Sequence, residues 1–313
     1  MDKTVDIPRI VNKAAITPAL VSRLIATQFP GWAGLPVTPV EHDGYDNATF
    51  RLGDGMSVRM PSNAKCALQV AKEHQWLPLL APHLPLPIPV PLGRGVPGDG
   101  YPWPWSVYRW LEGEPAEFAA ITDPRRFAAD LAGFLAALHR IDTSGGPRPG
   151  EHNFFRGGPV ATYDTEAREA IAILAGELDA ALAARVWAAA MAAAWTGPPV
   201  WVHGDIAQGN LLVRRGRLAA VIDFGGLAVG DPACDLVMTW TFFSGQAREA
   251  FRAAVGADDG TWARGRGWAL WKALILLVRA RRDEPASAEP NRRVIAEVLA
   301  DHQDAPEQDA RGW

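Results

Sequence analysis

The chain has 313 residues, 48% apolar and 21% charged, which suits one large or two ordinary globular domains and excludes disordered, collagen-like and coiled-coil architectures. Thirty-one basic residues stand against 35 acidic ones, a net charge of −4, so there is no basic excess of the kind that binds nucleic acid. Cys66 and Cys234 form neither a disulfide framework nor a zinc spacing and read as small buried hydrophobes. The opening residues lack the apolar segment of a secretory signal, and no apolar run approaches the ~20 residues that cross a bilayer. A cytoplasmic protein with no membrane partner is expected, and no feature asks for an obligate protein partner.

Up to about residue 110 the chain reads as short alternating segments. Ala48–Leu52 and Ser57–Met60 flank Gly53-Asp54-Gly55, a strong hairpin signal. Residues 65–77 carry a helical pattern through Cys66, Val70, Glu73 and Leu77, which Pro78 helps to end. Between Pro82 and Pro104 proline recurs so often that only edge strands, extended connections and turns are allowed.

Beyond Trp110 the texture turns helical. Pro124–Arg140 places Phe127, Leu131, Phe134, Leu135 and Leu138 on one face, and a second, alanine-rich run lies within Thr165–Trp195. Residues 143–158, rich in Gly and Pro, form a long loop. Val200–Val202 and Leu211–Phe224 return to strand character, with a turn at Arg215-Gly216, and helices resume from Pro232. Trp262–Lys272 reads as a helix packed on this part with its cations solvated. The polar tail after Asp283 holds one peripheral helix around Val294–Leu299. Before Leu111 the chain has ten basic and eight acidic residues; from it onward there are 21 and 27, which suits an anionic ligand on the first part and a cationic one on the second.

The chemistry concentrates in His203-Gly204-Asp205-Ile206-Ala207-Gln208-Gly209-Asn210 and, after a short apolar hairpin, Ile222-Asp223-Phe224-Gly225. A lone Asp or Asn near glycine is ordinarily a turn former, but that reading leaves the joint spacing unexplained. In phosphoryl transfer an Asp placed like Asp205 orients the attacking hydroxyl, while an Asn and a later Asp, here Asn210 and Asp223, hold Mg²⁺ against nucleotide phosphates. His203 braces the loop in this pattern and is assigned a structural role.

These segments resemble the signature of the aminoglycoside phosphotransferase family, small-molecule kinases in which His-Gly-Asp replaces the His-Arg-Asp of protein kinases. The resemblance spans most of the chain. It implies an α+β, bilobal protein-kinase-like fold, with a β-rich nucleotide-binding lobe over residues 1–110 and a mainly helical lobe over 111–313 that holds the catalytic loop, metal site and acceptor site. It implies Mg²⁺ as cofactor and ATP or GTP as co-substrate, and it makes Asp235 a brace of the catalytic loop, with Asp231 capping a helix ahead of Pro232.

The small lobe carries an independent signal. Glu73 shares a stripe with Val70 and Leu77, and a carboxylate facing a core needs a cationic partner. Arg59 is the candidate, since Met56, Val58 and Met60 share the other face of its strand. A strand cation steadied by a helix glutamate is the kinase device for holding phosphates. The family more usually has Lys there, and Arg is a planar fork rather than a compact charge. Arg59 stands ahead of Lys65 and Lys72, which read as solvated.

The loop over the phosphates is glycine-poor, Gly44-Tyr45-Asp46-Asn47-Ala48-Thr49-Phe50; Asn47, Thr49 or neighbouring N–H groups would meet phosphate oxygens there, and an ordinary hairpin turn explains it equally. By the same resemblance Ser106–Trp110, with Tyr108 and Trp110, supplies the strand end whose backbone reads a purine edge. Val58 and Ile222 either sandwich the base or fill core.

Trp103, Trp105 and Trp110 read as packing before they read as a stacking platform. His152–Arg156 is a candidate lining for the acceptor site. The acceptor expected from the resemblance is a hydroxyl of an aminoglycoside-like antibiotic. A macrolide, a housekeeping amino alcohol or sugar, and a non-catalytic nucleotide-binding pseudokinase remain the alternatives. A protein kinase is disfavoured because no activation segment of the usual type follows Asp223.

Overall fold

The computed structural model describes residues 12–304 apart from 42, 45, 118 and 284–287. The opening segment read against a secretory signal therefore lies outside the described residues, as does Tyr45 of the glycine-poor loop. After a single 3-10 turn at Lys13–Ala15 comes a helix that periodicity did not reveal. Thr17 accepts from Leu20 N and Pro18 occupies the first helical position, so α1 (Pro18–Gln28) begins there and buries Val21, Leu24 and Ile25.

Five antiparallel strands follow: β1 (Val37–Pro39), β2 (Asn47–Leu52), β3 (Met56–Pro61), β4 (Pro91–Gly95) and β5 (Trp105–Arg109), in the order β1-β2-β3-β5-β4. The expected hairpin is β2–β3, and the proline-rich passage supplies β4 at an edge, where proline is tolerated. Alternation divides the sheet. Phe50, Leu52, Val58, Met60, Trp105 and Val107 pack with α1 in the smaller core. Asn47, Thr49, Arg59, Ser106 and Tyr108 take the other face.

Between β3 and β4, α2 (Ala64–Leu80) starts at Asn63, whose side chain accepts from Cys66 N. Pro78 does not end it. A proline in the last turn removes only the bond its own N–H would have made, and the helix runs on to Leu80. Leu77 and Leu80, with Ile88 and Tyr108, pack into the larger core.

After β6 (Glu114–Pro115), the helix α3 (Pro124–His139) buries all five residues of its expected apolar face. The run expected within 165–195 is two helices, α4 (Asp164–Ile173) and α5 (Ala180–Ala192), because Asp179 caps the second by accepting from Leu182 N. Two small ladders come next. One is β6 with β8 (Leu211–Arg214) and β9 (Arg217–Val221); the other pairs β7 (Val200–Val202) with β10 (Ala228–Gly230). The chain closes with α6 (Met238–Thr241), α7 (Gly245–Val255), α8 (Asp259–Asp283) and α9 (Ala288–Gln303), the last carrying the expected apolar stripe at Val294, Ile295, Val298 and Leu299.

Two of the three cations of Trp262–Lys272 are buried, and only Lys272 stays partly solvated. Within α8, Arg264 forms a buried pair with Asp231 at 2.6 Å and Arg266 meets Asp301 at 3.2 Å, so this helix is held by charge as well as by tryptophan packing. Both cysteines are buried and free. Among the described residues no helix is long and apolar enough to cross a membrane.

Candidate active site

The pairing of Val202 with Ala228 sets the loop after β7 beside the loop before β10. Their backbones touch through glycines. Gly204 has φ +83°, and a Cβ there would lie 2.3 Å from Gly226 O, so the middle residue of His-Gly-Asp has no room for a side chain. Asp235 braces the same turn: its carboxylate accepts from His203 N at 2.8 Å and from Gly204 N at 2.7 Å. Asp231 accepts from Ala233 N, the cap expected ahead of Pro232.

His203 is fully buried, with its ring 4.5 Å from that of Phe224. Its Nδ1 accepts from Asp205 N at 3.2 Å, so the ring proton lies on Nε2 and is donated to Ile222 O at 3.0 Å. The imidazole thus ties the two loops together and is spent on backbone.

Asn210 donates its side-chain amide to Asp205 Oδ2 at 3.2 Å and to Asp205 O at 2.9 Å, and its backbone carbonyl accepts from Ile222 N. Asp223 follows directly, at φ +65°, a left-handed backbone that non-glycine residues seldom adopt and that is common at functional loops. Its Oδ1 lies 3.0 Å from Arg59 Nη2, while Arg59 Nη1 is 3.6 Å from Glu73 Oε1 and the Tyr108 phenol donates to Glu73 Oε2. A strand cation therefore spans from the α2 glutamate to the loop aspartate. Asp205 and Asp223 keep side chains 40% and 38% exposed, so both remain open to a ligand.

Residues 37–269 match the phosphotransferase enzyme family. The chain belongs to that family. Solved structures with the same protein-kinase-like fold include APH(2'')-IIIa with GDP and kanamycin, at TM-score 0.69 and 21% identity over 90% of this chain and 99% of that one. Another is APH(2'')-IIa with streptomycin and ATP, at TM-score 0.59 and 17% identity over 91% and 96%. A third is the macrolide 2'-phosphotransferase MphH from Brachybacterium faecium, at TM-score 0.57 and 22% identity over 89% and 97%. Comparison with curated proteins gives no match.

In this phosphotransferase the other expected nucleotide residues are placed unevenly. Asn47 is buried and borders a small cavity of about 10 Å³ behind Arg59 and Glu73, room for one water. Thr49 is half-buried beside Arg59 on the next strand, and its N–H is already donated to Asp43. Tyr108 is buried against Glu73. Trp110 lies under the Arg51 guanidinium at 4.3 Å, while Arg109 N and Trp110 N donate to Val90 O and Gly55 O. Those two amides are thus engaged within the sheet and its hairpin. Val58 is buried in the smaller core; Ile222 is partly exposed beside Asp223. Trp103 and Trp105 fill that core too.

Two lysines that read as solvated in the sequence are engaged at the site. Lys72 is buried, not solvated: its Nζ donates to Gly225 O at 2.6 Å and Leu227 O at 3.2 Å, pinning α2 to the Asp223 loop, and burial lowers its pKa to about 8 despite Glu73 and Asp223 nearby. Lys72 lies off the apolar stripe of its helix, which is why it read as solvated. Lys272 Nζ sits 3.1 Å from Asp205 Oδ1. Arg156, in the loop expected to line the acceptor site, adds its charge near Asp205. Burial alone would raise the Asp205 carboxyl, but these cations outweigh it and hold it at about 2.

Among the described residues no three His, Cys, Asp or Glu side chains cluster as a metal site. The expected pair differs in kind: an amide oxygen at Asn210, whose N–H₂ is spent on Asp205, and a carboxylate at Asp223. Both are hard oxygen donors, and Mg²⁺ bound this way keeps positions for phosphates and water, so the donor set fits it.

Proposed function

We propose that the protein moves the γ-phosphate of a purine nucleoside triphosphate, ATP or GTP, to a hydroxyl of a small molecule in the cytoplasm. Residues 1–110 form the nucleotide lobe and residues 111–313 the catalytic and acceptor lobe. The reading rests above all on Asp205 and Asn210, which are hydrogen-bonded to each other, and on Asp223, whose neighbour Ile222 donates to Asn210 O and whose carboxylate meets Arg59 from the opposite lobe. Arg59, steadied by Glu73, binds the triphosphate, exchanging Asp223 for phosphate oxygens. Asn210 and Asp223 would hold Mg²⁺, which neutralises charge on the phosphates. Thr49 and the backbone of the β2 loop close over them.

Asp205, ionised at neutral pH, accepts a hydrogen bond from the acceptor hydroxyl and aims it in line. The oxygen–phosphorus bond forms as the bond to the β-phosphate oxygen breaks, and the hydroxyl proton departs towards Asp205. Positioning and charge neutralisation supply the rate. Family membership puts aminoglycosides and macrolides first among acceptors to be tried, with metabolites of the amino-alcohol or sugar type after them.

The test is magnesium-dependent nucleotide consumption across a panel of such acceptors. At least one acceptor should stimulate turnover well above the hydrolysis rate. A second reading, a nucleotide-binding pseudokinase, draws on the Arg59–Asp223 pair, which ties up a metal ligand in the absence of nucleotide. Tight nucleotide binding with no turnover under every acceptor would favour it.

A further inference from the structure

Besides the neutral Asn210 amide, two cations face Asp205 from the larger lobe, Lys272 and Arg156. Lys272 on α8 is ion-paired with Asp205, and both side chains are 40% exposed, so this pair lies where an acceptor must approach. Arg156 stands beside them with its guanidinium 5.0 Å from the Trp268 ring and 5.4 Å from the Trp271 ring. Of the acids near this wall, Asp164 is paired with Arg168 and accepts from Trp187 Nε1, while Glu166 accepts from the Trp271 indole, a neutral donor.

The wall also exposes apolar surface. Phe154 is 40% exposed, and it and Phe155 both have positive φ, an unusual backbone for bulky residues that presents an aromatic ring to solvent. Phe154 is fastened to the same wall, because the Tyr163 phenol donates to Phe154 O and the Tyr163 ring stacks on Trp271 at 3.8 Å. One helical turn beyond Lys272, Leu276 is 37% exposed.

We infer that the acceptor subsite beside Asp205 takes a neutral or anionic hydroxylated molecule and discriminates against polycations, with Lys272 as the specificity-determining residue. This deepens the kinase reading and rests on it. The Asp205 charge that would attract an amine-rich acceptor is already matched by Lys272, so such an acceptor must displace a lysine and then face Arg156, whereas a neutral or anionic molecule need not displace Lys272 and is not repelled by Arg156. The negative net charge of the lobe as a whole therefore misleads about its site.

A matched pair of ligands tests this without knowledge of the natural acceptor: kanamycin and fully N-acetylated kanamycin, which share a skeleton and ring hydroxyls and differ in charge. Binding to the intact protein is measured by calorimetry, with and without magnesium nucleotide, at low and high salt. The acetylated form should bind about tenfold more tightly or better, with the gap widening at low salt as unscreened repulsion grows. Lys272→Glu should reverse the order. Leu276→Lys, at an exposed position, should weaken kanamycin further.

Tighter binding of kanamycin by the wild type, equal affinities, absence of binding by both, or an order unmoved by Lys272→Glu would each overturn the inference. Failure of magnesium nucleotide to bind would instead count against the kinase reading, because the charge preference is also read in its absence.

Discussion

Arg59 makes two demands that a lysine cannot meet together. Its fork reaches Glu73 with one nitrogen and Asp223 with the other, across the junction of sheet and helices. Burial opposes the guanidinium charge, and Asp223 and Glu73 outweigh it. Arg59→Lys should therefore keep a charge yet lose the span, raising the nucleotide KM by about tenfold with a smaller change in kcat; steady-state kinetics read the split. Asp223→Ala should make nucleotide affinity insensitive to magnesium. A calorimetric titration with and without the ion checks this, and an unchanged dependence on the ion would remove Asp223 from the metal site. Glu73 was legible because a carboxylate on an apolar stripe asks for a cation; Lys272 was not, because nothing local distinguishes it from a solvated lysine on a helix.

At the scale of elements, most short-range signals were read well and long-range ones were not. The β2–β3 hairpin, the apolar face of α3 and the β8–β9 hairpin follow from turn residues and period, which are properties of neighbouring residues. The course of α2 past Pro78 and the break between α4 and α5, where Asp179 caps three residues on, are local features that periodicity alone passes over, whereas the buried arginines of α8 depend on partners distant in sequence. Asp231, 33 residues before Arg264, turns a cation that looks solvated into a buried pair. The glycine contact between the two site loops is of the same long-range kind. Gly204→Ala must fit a methyl 2.3 Å from a carbonyl oxygen at φ +83°, and should cost about 3 kcal/mol through strain and overpacking. Denaturant unfolding measures it, and a loss under about 1 kcal/mol would mean the loops part without cost.

Across the whole molecule, α2 joins the sheet to the helical part. Its Glu73 meets Arg59, its Lys72 holds the Asp223 loop, and its Trp76 ring lies 5.0 Å from that of Trp201 in β7. The α+β bilobal architecture was legible from texture and motif, but this fastening was not, since it needs the fold to bring 72 and 225 together. Global stability has a pH signature at the end of α3. Burial, and secondarily Arg140, lowers His139 from 6.5 to about 4, so between those values the unfolded chain binds the proton and the folded one does not. Stability should fall as pH drops from 6.5 to 4. His139→Leu should make that slope shallower by up to about 1.4 kcal/mol per pH unit, read from unfolding midpoints across the window. The central claim, that Asp205 directs a nucleotide phosphate onto a small-molecule hydroxyl, is tested most directly by following the γ-phosphate of labelled ATP or GTP in wild type and in Asp205→Asn. The account predicts label in a low-mass phosphate ester from the wild type and at least about 10²-fold less from the variant, with nucleotide affinity kept. Label only in inorganic phosphate or on protein, or an ester formed equally by both, would contradict it.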